Sequence, residues 1–593
     1  MASWGAPRVT GGRFSFPERS MPPATPPPDP PRPGPRRRPA AIAVGAVALL
    51  GVAAYANALG GAFVFDDLRV VRDNPLIRDL SNFLPGRYAD VPNRWVGYLS
   101  FALSYRVGGL APWGFHLANA LVHVANALLV YALVRLTFRT PRLRTSALAP
   151  SSGAIAFATA AIFVAHPLHT QAVAYVSQRF TSLATAFYLA TVVLYARWRL
   201  REALVPRWRS IAGAAAFVAT ALLAAYTKEI AFTLPFAVAL YELSFLEGSA
   251  RDRLLRLAPV LATLPAIPLG TLATTRAAAT SLASRIAEGT RVETSLSRLD
   301  YLRTQLVVVV DYLRLLVFPA GQNVDHDVPI ERSLLDLHVA ASLALLAALA
   351  ALAALLYRRT ARPGGPGALD PAARLAAFGI AWFFLALLVE SSVIPIADLM
   401  YEHRAYLPSV GILVAATTAI AAIARRLPRL DPGRATALAG GAAALVLAVA
   451  TVARNGVWRN DVALWSDAAR GSPRKARPAL NLGTALAVSG RADLGVPALR
   501  QAVALEPTSA YARAQLGVAL LVVGRVPEGE AELREALRLS PDDPEVLYNL
   551  ATWLWTSGRR DEAGLLFARF VRVAPAAYAQ AKQIAAARAA AVR

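Results

Sequence analysis

Residues 41–67 read AIAVGAVALLGVAAYANALGGAFVFDD, an apolar run of membrane-spanning length followed by two adjacent carboxylates. A helix is the conformation in which such a run satisfies its own backbone hydrogen bonds in lipid. The pattern recurs, and we identify eleven runs in the chain. They lie at 41–59, 117–136, 153–168, 181–198, 211–227, 230–245, 257–274, 338–357, 375–393, 407–424 and 435–453. The sequence therefore predicts an all-α, polytopic membrane bundle over residues 41–453.

The composition of the whole chain agrees with this class. Of 593 residues, 56% are hydrophobic and 17% are charged, against roughly 45–50% and 25% in soluble domains. A single soluble globule and disorder over most of the length are therefore excluded. The chain has no cysteine, which excludes disulfides, a thiol nucleophile and thiolate metal sites. Its positive charge comes almost entirely from arginine, and together with abundant alanine this favours a bacterial source.

The segment before the first run, residues 1–40, is rich in proline and ends in basic residues. Such a segment buries no core, and we expect it to be disordered. A basic tail can bind nucleic acid, but basic residues directly before a span more simply hold that end in the cytoplasm. We therefore predict a cytoplasmic tail and no nucleic-acid partner.

Residues 454–593 differ from the bundle because charges interrupt their apolar positions and because they repeat. Residues recur at intervals of 34, namely Pro473, Pro507, Pro541 and Pro575, and likewise Gly490, Gly524 and Gly558. This period resembles the tetratricopeptide repeat (TPR), a helix–turn–helix unit whose second helix ends at a proline. We predict a TPR solenoid with full repeats at 476–509, 510–543 and 544–577, a leading half-repeat at 457–473 and a capping helix at 576–593.

Arginine clusters predict the orientation of the bundle. With the N-terminus inside, every second connection should be cytoplasmic and basic. The connections after residues 136, 198, 245, 357 and 424 are all rich in arginine, as this orientation requires. The TPR domain then lies outside the cytoplasm, on the periplasmic side of a bacterial inner membrane. One further apolar segment, 304–319, carries Asp311 and Arg314 in its middle. We predict that it is an interfacial or re-entrant helix on the outer side.

The predicted outer face carries the residues suited to chemistry. Asp66 and Asp67 follow the first span directly, and adjacent carboxylates raise each other's pKa unless a cation neutralises them. One of the two could act as a general base toward an acceptor hydroxyl. An ordinary polar loop start is the structural alternative.

Further candidates lie on the same face. Arg404 is suited to phosphate or diphosphate, because guanidinium makes bidentate contacts to phosphate. A divalent metal is a candidate cofactor, although no motif identifies one. Interfacial anchoring, surface ion pairs and solvated loops are the alternatives for the other candidates, which are Arg179, Lys228, Glu229, Glu402, His166 with His169, and Asp325 with His326.

The second span carries a stripe of polar residues. His116, Asn119, His123 and Asn126 lie on one face of a helix at this spacing. Polar residues within a span usually point into the bundle. Hydrogen bonding between helices is therefore favoured over a ligand pathway.

The order of the motifs is similar to that of one family. It comprises FVFDD at 63–67, Asn74-Pro75, HPLHTQAVAYVS at 166–177, Lys228-Glu229 and the segment 401–411, followed by TPRs. This series resembles the transmembrane-and-TPR O-mannosyltransferases, which are membrane glycosyltransferases of the GT-C class, and their bacterial relatives. The resemblance covers about residues 41–593. Gln178-Arg179 and Glu402-His403-Arg404 depart from the commoner family pattern, so the identity of the sugar stays open.

The resemblance implies transfer of a sugar, which in this family is mannose, from a polyprenyl-phosphate donor to a Ser/Thr hydroxyl of a protein outside the cytoplasm. It implies Asp66 or Asp67 as the base, with Arg404, Lys228 and Arg179 neutralising the departing phosphate. The TPR groove would bind the acceptor polypeptide or an envelope protein. A TPR-bearing scaffold for envelope assembly without catalysis and a lipid-linked sugar transporter are the alternatives.

The basic connections generate a prediction about topology. A reporter that is active only outside the cytoplasm should be active when fused after Arg593 and silent when fused after Arg362. The reason is that the arginine clusters hold alternate connections inside. The opposite result at either position would overturn the orientation and with it the side on which Asp66 lies.

Overall fold

The computed structural model describes residues 1–7, 10–11, 38–84, 94–274, 296–360, 370–427 and 429–592. Most of the predicted tail, 1–40, lies outside the described residues, as does Arg362. Residues 1–42 and 43–593 are two separate units, and the second contains nearly all of the described helices. The described residues contain helices, turns and loops and no strand, which confirms the all-α class.

The membrane part of the chain contains fifteen α-helices among the described residues. They are α1 (Arg38–Tyr55), α2 (Trp95–Gly108), α3 (Pro112–Thr137), α4 (Ser152–Ala165), α5 (Thr170–Val173), α6 (Arg179–Arg199), α7 (Arg207–Ala225), α8 (Leu234–Phe245), α9 (Ala250–Leu261), α10 (Ala266–Thr274), α11 (Arg298–Val317), α12 (Leu337–Thr360), α13 (Ala373–Leu387), α14 (Tyr406–Arg425) and α15 (Pro432–Asn455). Helix α3 packs against α4 and α6, and α15 packs against α4.

The structure does not reproduce the expected eleven spans. Eight helices in the described part of the chain are long and apolar enough to cross a membrane, or nine if the bent pair Ala149–Ala165 and Pro167–Val173 is one span. The runs predicted at 230–245 and 375–393 form only α8, with 12 residues, and α13, with 15. The helix of the second run is short because it ends before the polar Glu390-Ser391-Ser392.

Helix α11 covers the segment that we predicted to be interfacial or re-entrant. It is not among the described helices apolar enough to span a membrane. Tyr301, Val308 and Tyr312 are buried on one face, whereas Asp311 and Arg314 are part-exposed and form an ion pair of 3.1 Å. The helix is therefore amphipathic, and its position in the membrane interface stays a prediction.

Small residues allow the closest helix contact in the bundle. Gly379 on α13 faces Gly411 on α14, and a Cβ atom on either would lie 2.2 or 2.1 Å from the carbonyl oxygen of the other. No larger residue fits at this crossing unless the helices separate. Membrane helices use small residues in this way because van der Waals contact drives their association.

The C-terminal part is a series of paired helices. They are α16 (Asp461–Gly471), α17 (Ala476–Val488), α18 (Ala492–Leu505), α19 (Ala510–Val522), α20 (Val526–Leu539), α21 (Pro544–Thr556), α22 (Arg560–Val573) and α23 (Ala579–Ala590). Gly490, Gly524 and Gly558 form the turns within the pairs with φ of +78°, +80° and +86°. Glycine recurs every 34 residues because this left-handed turn disfavours a side chain.

The first helix of this region packs with the membrane bundle. Leu464, Trp465 and Ala468 of α16 belong to the hydrophobic core that also contains residues of α1, α3 and α4. The last repeats have a separate core that includes Leu550, Phe567 and Phe570, all fully buried. The array is therefore built onto the bundle through α16.

The two cores generate a prediction for isolated fragments. Residues 476–593 should be soluble and helical and should melt cooperatively, because the repeats keep their own core. Residues 454–593 should also be helical but should self-associate, because Trp465 loses its partners in the bundle. Circular dichroism and size-exclusion chromatography measure both properties. A disordered spectrum for 476–593 would contradict the separate core.

Candidate functional site

Asp67 is completely enclosed by the protein. Its Oδ1 accepts the backbone N–H of Ser177 at 2.6 Å, and its Oδ2 accepts those of Val64 and Val176 at 3.3 Å. Burial raises the pKa of Asp67 to about 7, although the backbone donors favour the carboxylate. Asp67 thus ties the loop after α1 to the loop before α6, and it is not accessible to a substrate.

Asp66 is presented differently although it is the next residue. Its side chain is half-buried, and its Oδ2 accepts a hydrogen bond of 2.8 Å from the Tyr175 hydroxyl. The Tyr175 oxygen in turn accepts the N–H of Asp66 at 3.1 Å. Burial and the charges of Asp66 and Asp67 raise the pKa of Tyr175, so its hydroxyl stays protonated and donates. Within the described residues, Oδ1 of Asp66 makes no hydrogen bond.

The loop that presents Asp66 is strained and is held in place by α16. Phe65 has a φ of +53°, a left-handed conformation that is rare for an aromatic residue. Its N–H donates to the Asp461 carboxylate at 3.4 Å. Its ring stacks on Tyr175 with centroids 6.0 Å apart and meets the edge of Trp465 at 5.1 Å. The C-terminal region therefore completes the environment of Asp66.

His166 and His169 lie inside the bundle, where their rings contact other parts of the protein. Both are buried, and both ring nitrogens of each have protein partners. His166 contacts the Leu316 carbonyl at 3.0 Å and the Leu168 N–H at 3.2 Å. His169 contacts the Phe163 carbonyl at 2.8 Å and the Ser409 hydroxyl at 3.0 Å. No group of three potential metal ligands occurs in the part of the chain that the structure describes.

Arg179 is a cross-link between helices rather than a free cation. Its side chain is buried and donates to the Asn119 side chain and the Ser104 hydroxyl at 2.6 and 2.9 Å. It also donates to the backbone carbonyls of Ser100 and Phe115 at 3.0 and 2.9 Å. These hydrogen bonds join α2, α3 and α6, and a role for Arg179 at a donor phosphate stays a prediction.

The stripe on α3 lies inside the bundle. Nδ1 of His123 contacts the Tyr406 hydroxyl at 2.6 Å, and Asn126 donates to the same oxygen at 3.1 Å. Asn119 also donates to the carbonyls of Val173 and Val176. These contacts are the hydrogen bonds between helices that the spacing of the stripe predicted. His116 differs, because neither of its buried ring nitrogens has a hydrogen-bond partner among the described residues.

Lys228 and Glu229 belong to two ion pairs. Lys228 donates to the Glu390 carboxylate at 2.7 Å and to the Thr181 hydroxyl at 3.0 Å. Burial lowers the pKa of Lys228, although the Glu390 charge opposes this. Glu229 instead pairs with Arg94 at 2.8 Å, and the Arg94 side chain is 40% exposed. Lys228 and Arg94 are therefore two cations in one region, of which Arg94 is accessible.

Arg404 is buried in the short 3-10 turn directly before α14. It donates to the backbone carbonyls of Asp398 and Leu399 at 2.8 and 3.3 Å, and its guanidinium lies 5.5 Å from the Tyr401 ring centroid. Burial, the charge of Asp398 and, more weakly, that of Asp66 raise the pKa of Tyr401. The segment that contains Arg404 therefore lies within electrostatic reach of Asp66.

Glu402, His326 and Asp325 connect the bundle to the repeats. Glu402 accepts the N–H of Asn323 at 2.6 Å and contacts Nε2 of His326 at 3.0 Å. Asp325 pairs with Lys475 and, at 2.5 Å, with Arg477 of α17. Arg477 also pairs with Asp398 at 2.5 Å. In this structure Asp325, His326 and Glu402 make contacts within the protein, and their place in a functional site stays a prediction.

A cleft of about 890 Å³ opens beside the Asp66 loop. One wall is formed by Phe65, Leu68 and Arg72, and the opposite wall comes from α16 and α17. The latter wall includes Asp461, Val462, Trp465, Asn481, Thr484 and Val488. The cleft is thus shared by the bundle and the first helices of the C-terminal region.

Sequence reasoning missed several residues of this region. Tyr175 lies within the motif 166–177 that we quoted but carries no charge to mark it. Arg94 lies in a long connection without a motif. Glu390 falls inside a run that we predicted to be a span. Only the fold shows that these residues accompany Asp66 and Lys228.

The comparisons with known proteins support both parts of the chain. A tetratricopeptide-repeat family model matches residues 480–544 and 514–582, which confirms the repeats. Among solved structures, the APC/C hetero-tetramer Cut9-Hcn1 aligns over 86% of this chain and 99% of its own at 14% identity. Its TM-score of 0.21 is too low to support a conclusion.

The curated proteins that this chain resembles are all named protein O-mannosyl-transferases. The chain is 36% identical over 203 residues to "Protein O-mannosyl-transferase Tmtc2" of Drosophila melanogaster, covering 32% of this chain and 20% of the relative. It is 31% identical over 191 residues to "Protein O-mannosyl-transferase Tmtc1" of the same organism, covering 30% and 20%. It is 27% identical over 161 residues to "Protein O-mannosyl-transferase TMTC2" of Homo sapiens, covering 25% and 18%.

The chain thus spans about a fifth of the length of these relatives. The resemblance that the motifs suggested is confirmed by these matches and by the repeats. Over up to about a third of its length the chain is similar to proteins named protein O-mannosyl-transferases, and its C-terminal region matches the tetratricopeptide repeat.

Proposed function

We propose that this protein is a membrane glycosyltransferase that moves a sugar from a polyprenyl-phosphate donor to a Ser/Thr hydroxyl of a polypeptide. The observation that carries the proposal is the half-buried carboxylate of Asp66, which is fixed through one oxygen by Tyr175. Its other oxygen is without a hydrogen bond among the described residues. The names of the relatives supply the reaction class and favour mannose as the sugar.

The proposed step is a single displacement at the anomeric carbon. The acceptor oxygen forms a bond to that carbon while the bond from the carbon to the phosphate oxygen breaks, which inverts the configuration. The hydroxyl proton passes to Asp66, and the lipid leaves as a polyprenyl monophosphate. Asp66 is suited to this role because Tyr175 holds one oxygen and orients the other.

The charge that develops on the departing phosphate requires cations. Lys228 and Arg94 lie in one region on separate chain segments, and Arg94 is 40% exposed. Arg404 adds a third positive charge on the segment next to Tyr401. We assign direct contacts with the phosphate to Lys228 and Arg94. Arg404 stabilises the phosphate charge from a distance, because its guanidinium already donates to two backbone carbonyls. A resident metal is not part of this proposal.

The cleft beside Phe65, the residue that precedes Asp66, is suited to the acceptor polypeptide. It is open, about 890 Å³ in volume, and continues along α16 and α17. Asn481 and Thr484 offer side-chain hydrogen bonds to an extended backbone, and Val488 offers an apolar contact. We place the acceptor here, on the periplasmic side of a bacterial inner membrane according to the arginine clusters.

Substitution of Asp66 and of Asp67 should have different effects on sugar transfer and on stability. Asp66→Asn keeps the size of the base and removes its basicity, so transfer should fall roughly 10²–10⁴-fold while the melting temperature stays unchanged. Asp67→Asn is the matched control next to it. It places an amide donor against backbone N–H groups, and each unsatisfied group costs about 1–3 kcal/mol, so the melting temperature should fall.

The measurements are transfer of radiolabelled sugar by purified protein from a panel of polyprenyl-phosphate sugars, and thermal unfolding of the same preparations. Wild-type transfer by Asp66→Asn would refute the assignment of the base and favour a scaffold. Loss of transfer by Asp67→Asn without any loss of stability would reverse the roles of the two residues.

The Lys228–Glu390 pair gives a second prediction. Lys228→Met leaves a buried carboxylate unpaired, and the double variant Lys228→Met/Glu390→Gln restores neutrality. The double variant should therefore fold like the wild type. Its KM for the donor should still rise roughly 10- to 100-fold, because a hydrogen bond to a charged group contributes about 1.5–3 kcal/mol.

This design distinguishes binding from structure. Donor KM and thermal stability are measured for Lys228→Met, Glu390→Gln and the double variant. A double variant with both wild-type stability and wild-type KM would show that Lys228 serves only its ion pair.

A further inference from the structure

A second cavity lies at the opposite ends of α3 and α6 from Asp66. Its volume is about 550 Å³, which is within the range of sites for small molecules. It is formed where the last turns of the two helices meet the connection that comes after α6. It is therefore far from the Asp66 loop, because Asp67 accepts the N–H of Ser177 just before α6, and Asn119 near the start of α3 donates to the Val173 carbonyl in the same connection.

Four arginines line this cavity, and no acidic residue is among its described lining. They are Arg135, Arg139, Arg197 and Arg201. Arg135 donates one hydrogen bond to the Ser152 hydroxyl at 2.8 Å. The side chains of the other three are exposed and make no hydrogen bond or ion pair within the described residues. The cavity thus concentrates positive charge without compensation.

The carboxylates at this end of the bundle are used by other arginines. Glu202 pairs with Arg199 at 2.6 Å and with Arg256 at 2.7 Å. Glu242, which is fully buried, pairs with Arg199 at 2.9 Å. The cavity arginines are therefore not members of an ion-pair network, although acidic residues are present nearby.

The remaining lining is apolar. Leu136, Val193, Leu200 and Leu204 contribute to it together with Tyr131. The cavity lies at the ends of two candidate spans, Pro112–Thr137 and Val176–Arg199, so it is at the interface between lipid and water. A ligand that matches these surfaces has an anionic head and a hydrocarbon tail.

We propose that this cavity is a binding site for an anionic phospholipid of the bilayer, with a headgroup that carries more than one phosphate. The arginines bind the phosphates, and the leucines and Val193 accept the start of an acyl chain. Guanidinium suits this role because it binds phosphate oxygens bidentately. Four cations without counter-ions among the described residues favour a headgroup with two phosphates over a zwitterionic one, in which an ammonium group would be repelled. The proposal is independent of sugar transfer.

The test measures lipid binding to the purified full-length chain by native mass spectrometry. Diphosphatidylglycerol should bind at least about tenfold more tightly than phosphatidylcholine. In the variant R139Q/R197Q/R201Q this preference should disappear, because each arginine at an anionic headgroup changes affinity about fivefold. These side chains are exposed, so the variant should fold, and the single variant R201Q should lose about fivefold.

The matched control is R358Q/R359Q/R426Q, which removes three exposed arginines from other basic connections. It should bind diphosphatidylglycerol like the wild type. Equal binding by the cavity variants and the wild type would overturn the proposal. So would an equal loss in the control, which would indicate a general effect of net charge. Stronger binding of polyprenyl phosphate than of diphosphatidylglycerol would overturn it as well and would assign the cavity to the carrier lipid.

Discussion

The buried carboxylate of Asp67 is the contact on which the arrangement of the site depends. It accepts three backbone N–H groups from two loops that are 109 to 110 residues apart in the chain. A carboxylate suits this place because its two oxygens offer enough lone pairs for three converging donors. Once the loops are joined, Tyr175 reaches Asp66, and the strained Phe65 turns the pair so that one carboxylate faces inward and the other outward.

Periodicity explains why much of the fold could be predicted. The repeats have a fixed period because each contains a left-handed turn that favours glycine, and three such turns lie at Gly490, Gly524 and Gly558. The membrane class follows from apolar runs in the same direct way. The ends of the spans are harder to predict from the sequence. Hydropathy averages over a whole run, whereas α13 ends before the polar residues Glu390-Ser391-Ser392 near the end of its run.

The site was harder to predict because the same residue types serve structure and chemistry. Arg179 and His169 stand in the same motif region as Tyr175, yet their polar atoms are used for contacts within the bundle. Asp325 has the chemistry of a ligand, but it pairs with Arg477, which is 152 residues away in the chain. A single sequence contains no record of such partners. The sequence shows which residues have side chains suited to catalysis or binding. The fold shows which of those side chains are not already used in contacts within the protein.

The position of α16 has a consequence for biosynthesis. The loop that carries Asp66 is held by Asp461 and by a hydrogen bond from Ala62 to the carbonyl of Arg459, nearly 400 residues later. Contacts this distant in sequence form late, because the chain between them must be made and inserted first. A nascent chain that has inserted only its early spans therefore contains Asp66 but lacks the contacts that hold the Asp66 loop in place. The contacts that hold this loop are complete only when the last span has been inserted and α16 has docked.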